Sequence, residues 1–145
     1  MMTIRVATAS DAPALGKILS DWIDETPWMP RLHTRVQDRA FVADMIHGGG
    51  VDTLVQDDEP IGFLQESGCH ISALYVAKSA RGRGGGLMLL DAAKVRCSRL
   101  DLWTFEANTD ALAFYHREGF TEIERSTDND EGLPDIRLVW ERDTS

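Results

Sequence analysis

The chain has 145 residues, a formal net charge of −9 and 43% apolar residues, values of a single globular domain over residues 1–145 that needs no metal or staple to build a core. No stretch is long and apolar enough to cross a membrane, and Met1-Met2-Thr3-Ile4-Arg5 lacks the apolar segment of a signal peptide. The negative charge argues against a nucleic-acid partner and gives a weak long-range bias toward a cationic or amine acceptor.

In chain order, Thr3 to Thr8 alternates apolar and polar residues, as a first strand would. Ser10 or Asp11 can cap a helix with Pro13 in its first turn, and Ala14, Leu15, Ile18, Leu19, Trp22 and Ile23 recur at helical spacing. Pro27 and Pro30 break that pattern, leaving a loop from Glu25 to His33. A second helix starts at Thr34, where Gln37 is placed to complete a capping box, and ends at Gly48-Gly49-Gly50. Val51 to Gln56 and Ile61 to Glu66 read as strands joined by the turn Asp57-Asp58-Glu59-Pro60. A strand from His70 to Val76, a helix after Gly84, a strand from Leu100, a helix from about Thr109 and a strand from Phe120 follow. Ser126 to Pro134 is an acidic loop, and Asp135 to Glu141 closes the chain with Ile136, Leu138 and Trp140 on one face. Cys69 and Cys97 have no metal-like spacing and are too few for a disulfide framework, so reduced thiols in a cytoplasmic protein are expected, with no metal site.

The run Arg81-Gly82-Arg83-Gly84-Gly85-Gly86 carries the most chemistry. It follows a strand and opens into a helix, a placement that gathers unpaired backbone amides on one point and suits phosphate. Glycines let the main chain approach a ligand closely, and two arginines can fork onto phosphate oxygens. A nucleotide P-loop would need Gly-Lys-Ser/Thr, but Leu87 follows Gly86, and both Gly-x-Gly-x-x-Gly frames fail at Leu87 and Leu89.

What remains is Arg-x-x-Gly-x-Gly, met by Arg81, Gly84 and Gly86. A second block lies downstream: a strand around Trp103, then Asn108, Phe114-Tyr115 and Gly119-Phe120. Together they resemble the two signatures of the GNAT family, the GCN5-related N-acetyltransferases. The resemblance covers roughly residues 3 to 142 and is sharpest from Leu74 to Phe120. It implies an α/β fold with a central, twisted, mixed sheet and about four flanking helices, in agreement with the order β-α-α-β-β-β-α-β-α-β-β read above. It also implies acetyl-CoA as cosubstrate, direct attack by an amine of unknown identity, and leaves room for a homodimer.

By the same resemblance, main-chain groups of Leu74, Tyr75 and Val76 hold the pantetheine arm. Residues Arg81, Gly82, Arg83, Gly84, Gly85 and Gly86 hold the pyrophosphate, with Asn108 and Phe114 further along the arm. Tyr115 is expected to protonate the departing thiolate, since a phenol keeps its proton at neutral pH. His70 falls where some relatives carry a catalytic glutamate; Glu66, Glu106 and a water chain are the alternative bases. Trp22, Trp28, Arg31, His33 and Arg35 are expected to wall the acceptor end, as an aromatic and basic pocket suited to a carboxylate-bearing acceptor or as loop anchors. Arg117 is read as reaching the nucleotide 3′-phosphate or as a solvated surface residue. The chain departs from the family at Gly85, often aliphatic, and at Lys78, often proline. Two other readings stay open: a non-catalytic acyl-CoA sensor, and a phosphate-binding domain unrelated to coenzyme A.

Overall fold

The computed structural model describes residues 1–143. Eleven main elements follow one another: β1 (Met2–Val6), α1 (Ala12–Glu25), α2 (Arg35–Gly48), β2 (Val51–Gln56), β3 (Glu59–Ser67), β4 (His70–Val76), α3 (Gly85–Arg96), β5 (Arg99–Phe105), α4 (Thr109–Arg117), β6 (Thr121–Ser126) and β7 (Asp135–Glu141). Short 3-10 turns at Ala9–Asp11 and Lys78–Ala80 lead into α1 and toward α3. The order is the one that periodicity and turn chemistry predict. The strands form one sheet, β1-β2-β3-β4-β5-β7-β6. All neighbours are antiparallel except β4 and β5.

Alternation of side chains gives the sheet two cores, one per face. Leu54, Leu64, Ile71, Leu100, Leu102, Ile136 and Leu138 pack with α3 residues Leu89, Leu90 and Ala93 and with Tyr115 of α4, and Trp140 joins them at the margin. Val51, Phe63 and Ala73 pack on the other face against Leu15, Ile18 and Leu19 of α1 and Val42 and Met45 of α2.

Helix ends are fixed locally. Thr34 and Gln37 form the expected capping box, with Gln37 N–H donating to Thr34 Oγ1 at 3.1 Å and Thr34 N–H to Gln37 Oε1 at 2.8 Å. At α1 the residue preceding the helix is Asp11, but its carboxylate turns back, accepting from Thr8 N–H at 2.8 Å and from both terminal nitrogens of Arg5. That carboxyl is held at about 2, chiefly by the Arg5 hydrogen bond, against an opposing effect of burial.

The cysteines correct the expectation of free thiols. Cys69 and Cys97 are joined in a disulfide, with Cα atoms 5.9 Å apart and a sequence separation of 28. The fold brings the β3–β4 turn against the end of α3, a meeting that sequence spacing does not reveal. The bond lies immediately before His70 and two residues before β5, where β4 and β5 are still paired. The inference of a reducing compartment from these residues falls with it.

Candidate active site

The parallel pairing of β4 with β5 is brief: His70 is opposite Asp101, Ile71 opposite Leu102, and beyond that the strands part. Ser72 is the extra residue of a bulge against β3, since Ala73 pairs with Gln65 and Ile71 with Glu66. The bulge turns β4 away just above the last shared pair. The outer edge of β4 from Ser72 to Val76 therefore faces a cleft, with Trp103 to Phe105 on the opposite bank. Asn108, Ala111 and Tyr115 of α4 and its cap close one side, and Trp22 of α1 closes the other.

At the outer end of β4 the glycine run turns the chain into α3. Gly82 and Gly84 have φ of +80° and +83°, a left-handed backbone that favours glycine, and a Cβ at either would project into open space. Gly84 caps α3, and Met88 N–H makes the first bond back to it at 3.0 Å. The amides of Gly85, Gly86 and Leu87 thus lie ahead of the helical ladder. They border a cavity of about 440 Å³ shared with Leu74, Val76, Ala111, Phe114 and Tyr115. These open amides and the glycine-lined wall fit a diphosphate. Gly85 has a second reason to be glycine: a Cβ there would meet Leu54 Cδ2 at 2.5 Å, so the helix start sits tight on the sheet.

The two arginines differ. Arg81 lines both the cleft and the glycine-bordered cavity, with its Nε–H donating to Val76 O at 2.9 Å and its head paired with Glu25. Arg83 turns away, donating to Gln56 Oε1 and Ser79 O, and does not border either space. Arg117 does border the second cavity, its guanidinium 5.5 Å from the Phe114 ring centre.

Tyr115 is buried against Phe114 and Phe120 and lines both cavities. Burial pushes this phenol above its usual range, so it is fully protonated near neutrality. Asn108 serves as a cap, its Oδ1 accepting from Ala111 N–H at 3.2 Å, while its residue lines the cleft. Capping uses the carbonyl and leaves the amide NH₂ as a donor.

The bases named from the sequence lie elsewhere. His70 sits at the closed end, its Nδ1 3.1 Å from Asp101 Oδ1, and Asp101 also accepts from Arg137 Nε at 3.0 Å. Burial disfavours the Asp101 carboxylate, but the Arg137 and His70 hydrogen bonds prevail and hold its pKa low. Glu66 accepts from Cys69 N–H and Arg96 Nε, and Glu106 pairs with Arg125. Neither cavity is lined by any of these three. Among the described residues Glu66, Cys69 and Cys97 are the group whose metal-type ligand atoms converge, and both sulfurs there are in the disulfide.

On the α1/α2 face, Trp22 packs against Trp28 and Tyr75 with ring centres 5.8 and 5.2 Å away, and Trp28 reaches Phe105 of β5 at 5.6 Å. This aromatic chain bridges the parted strands. The basic pocket is not formed: Arg31 is held by Asp24 and Asp38, and Arg35 by Asp21 and Asp24. Sequence reading also missed the Tyr75 side chain. Counting along a strand puts Tyr75 on the face opposite Leu74 and Val76, and that alternation was the available signal.

A fork between parallel strands that runs to open amides gives the chain a cleft suited to an extended, phosphate-bearing ligand, the arrangement of an acyl-CoA-dependent transferase when read with the comparisons that follow. The model of the Acetyltransferase (GNAT) domain matches residues 25–142. The chain belongs to the GNAT family and is an acetyl-CoA-dependent N-acetyltransferase. It is 31% identical over 135 residues to the peptidyl-lysine N-acetyltransferase YjaB of Salmonella typhimurium, covering 92% of this chain and 93% of that one. The solution structure of apo-form YjaB from Escherichia coli superposes with a TM-score of 0.83 at 25% identity, covering 99% of both chains. The yncA protein of Salmonella typhimurium, whose structure contains its cofactor acetyl-CoA, shares the fold with a TM-score of 0.69 at 19% identity, covering 99% of this chain and 95% of that one. No helix among the described residues is long and apolar enough to cross a membrane.

Proposed function

We propose that this enzyme moves the acetyl group of acetyl-CoA to the side-chain amine of a lysine in a protein. The observation that carries this reading is the open edge of β4 above Ile71, running from the fork to the amides ahead of α3. The choice of lysine is supported by the peptidyl-lysine N-acetyltransferases that the chain resembles over nearly its whole length. Net charge of −9 favours a cationic protein acceptor over a nucleic acid.

Acetyl-CoA supplies a thioester, an acyl carbon already activated toward an amine. The amides of Gly85, Gly86 and Leu87 bind the diphosphate at the positive end of α3. Arg81 and Arg117 add charge at the rim, Arg81 by exchanging its contact with Glu25 for a phosphate. Main-chain groups of Leu74, Tyr75 and Val76 pair with the amide-bearing arm as an added strand would, and the Asn108 NH₂ donates to it from the other bank. An N–H near Val76 polarises the acyl carbonyl.

The lysine amine attacks the acyl carbon after losing one proton to solvent; Tyr115 then donates the proton that the departing sulfur needs and regains one from the acylated nitrogen as the C–S bond breaks. Burial keeps the phenol protonated until charge builds on the sulfur beside it, and the same poor solvation raises the basicity of the departing thiolate. Acetyl-CoA is a cytoplasmic metabolite, so we place the reaction in the cytoplasm; a disulfide there would follow the redox poise of the cell.

The test is incubation with acetyl-CoA and a lysyl peptide blocked at its N-terminus, followed by thiol release and by mass spectrometry. Release matched by acetylation of Nζ is expected. Release without peptide modification, or none with any lysyl peptide, contradicts the proposal.

A further inference from the structure

A third cavity, of about 410 Å³, lies on the α1/α2 face, and Ser72, Ala73, Tyr75 and Phe105 line both it and the cleft beside β4. A molecule in this cavity abuts the fork where acyl transfer takes place. Its walls are the apolar side chains Leu19, Ile23, Met29, Phe41, Met45 and Phe63, a sleeve suited to an unbranched methylene chain. Three carboxylates also line it: Asp38, Asp130 and Glu131.

Their states differ. Asp38 is satisfied by Ser20 Oγ at 2.6 Å and Arg31 Nη1 at 2.8 Å. Glu131, half-buried, and Asp130, exposed, have no cationic partner among the described residues. Arg31 and Arg35, at the α1/α2 end of the fold, are held by Asp21, Asp24 and Asp38. His33 is the one basic side chain lining the cavity, and it is exposed. An unneutralised carboxylate beside an apolar sleeve attracts a cation more strongly than one surrounded by water.

We propose that Glu131 is the residue that anchors the ammonium of the acceptor, with Asp130 drawing it in at the rim, and that the pair excludes carboxylate-bearing acceptors. This rests on the lysine reading above and names the residue that enforces it. The methylene stem of a lysine fills the sleeve while its nitrogen lies between Glu131 and the fork. The Tyr75 phenol, which lines both spaces, is raised to about 12, first by burial and then by the charges of Glu131 and Asp38. The field of Glu131 therefore reaches the inner end of the cavity and not only its mouth. The acidic segment before β7 has a use that its loop-like composition conceals.

The experiment compares the wild-type protein with Glu131→Gln and Asp130→Asn. For Glu131→Gln the KM for a blocked lysyl peptide should rise at least tenfold while the KM for acetyl-CoA stays within twofold; Asp130→Asn should produce a smaller rise that salt abolishes. In the wild type, n-butylammonium should compete with the peptide and butyrate should not. A peptide KM unchanged in Glu131→Gln, or butyrate competing as well as n-butylammonium, overturns the inference and leaves the enzyme's lysine activity standing. Should the wild type acetylate no lysyl peptide, the proposed acceptor is wrong. Binding of n-butylammonium followed by NMR then decides alone: loss of binding in Glu131→Gln upholds the cation site, and equal binding removes it.

Discussion

The two faces of the sheet build their parts of the site by different means. On the α3/α4 face the groups proposed to meet the ligand are mostly main chain, namely the edge of β4 and the amides of Gly85, Gly86 and Leu87, and they come from the stretch between Leu74 and Leu87. On the α1/α2 face they are side chains from α1, α2, β4, β5 and the loop before β7. The supports differ in the same way. A disulfide lies at the root of the fork, whereas α1 and α2 are tied by a web of Asp21, Asp24, Asp38, Arg31 and Arg35. A main-chain site suits a donor that never changes. A side-chain site can be altered residue by residue, as an acceptor pocket must be if one fold is to serve many amines.

The largest expected effect sharpens this contrast at its one exception, the Tyr115 side chain on the main-chain face. Tyr115→Phe should lower kcat by roughly a hundredfold or more with little change in the KM for acetyl-CoA, because the hydroxyl is needed only as charge builds on sulfur. Steady-state kinetics at saturating peptide checks it; a kcat within threefold of wild type removes Tyr115 from the proton path.

Next comes the covalent support. Reducing the Cys69–Cys97 bond frees a loop of 28 residues in the unfolded chain, for which about 3 kcal/mol of lost stability is expected. Guanidinium unfolding with and without reductant measures it, and identical midpoints would contradict the pairing.

The smallest effect belongs to the ion-paired face. Asp11 has its carboxyl lowered from 3.8 to about 2 by the Arg5 hydrogen bond. A depressed carboxyl stabilises the fold above its unfolded pKa, and that contribution is lost as the pH falls through about 2. It amounts to at most about 2 kcal/mol, less for solvent screening at Arg5, whose side chain is 44% exposed. The stability gap between wild type and Asp11→Asn should therefore be widest from pH 5 to 7 and close toward pH 2. A gap independent of pH would show that Asp11 acts by packing alone.

This contrast also explains what the sequence made legible. The order of elements, the Thr34 capping box and the glycine loop were readable because each depends on residues within a few positions of one another. The cleft proposed for the donor was anticipated for the same reason, because its lining residues Arg81 to Gly86 and Asn108 to Tyr115 each fall in one short stretch. Arg83 is the exception: its placement in the run says nothing of its turn toward Gln56, 27 residues away. What was not readable depends on topology and not on spacing: Cys69 meets Cys97, His70 meets Asp101 31 residues on, and Glu131 lines one cavity with Tyr75. Arg31 and Arg35 were visible as charges, but their neutralisation by Asp21, Asp24 and Asp38 depends on how α1 packs on α2.

The central claim is that main-chain amides ahead of α3 hold the acyl donor along the open edge of β4. Backbone amide NMR during titration with acetyl-CoA tests it most directly. The amides of Gly85, Gly86 and Leu87 should shift together with those of Leu74 to Val76 on a single binding curve, while Phe41 and Met45 beyond the sheet move little. Saturation without movement of the glycine-loop amides, or no binding at millimolar acetyl-CoA, would contradict the account.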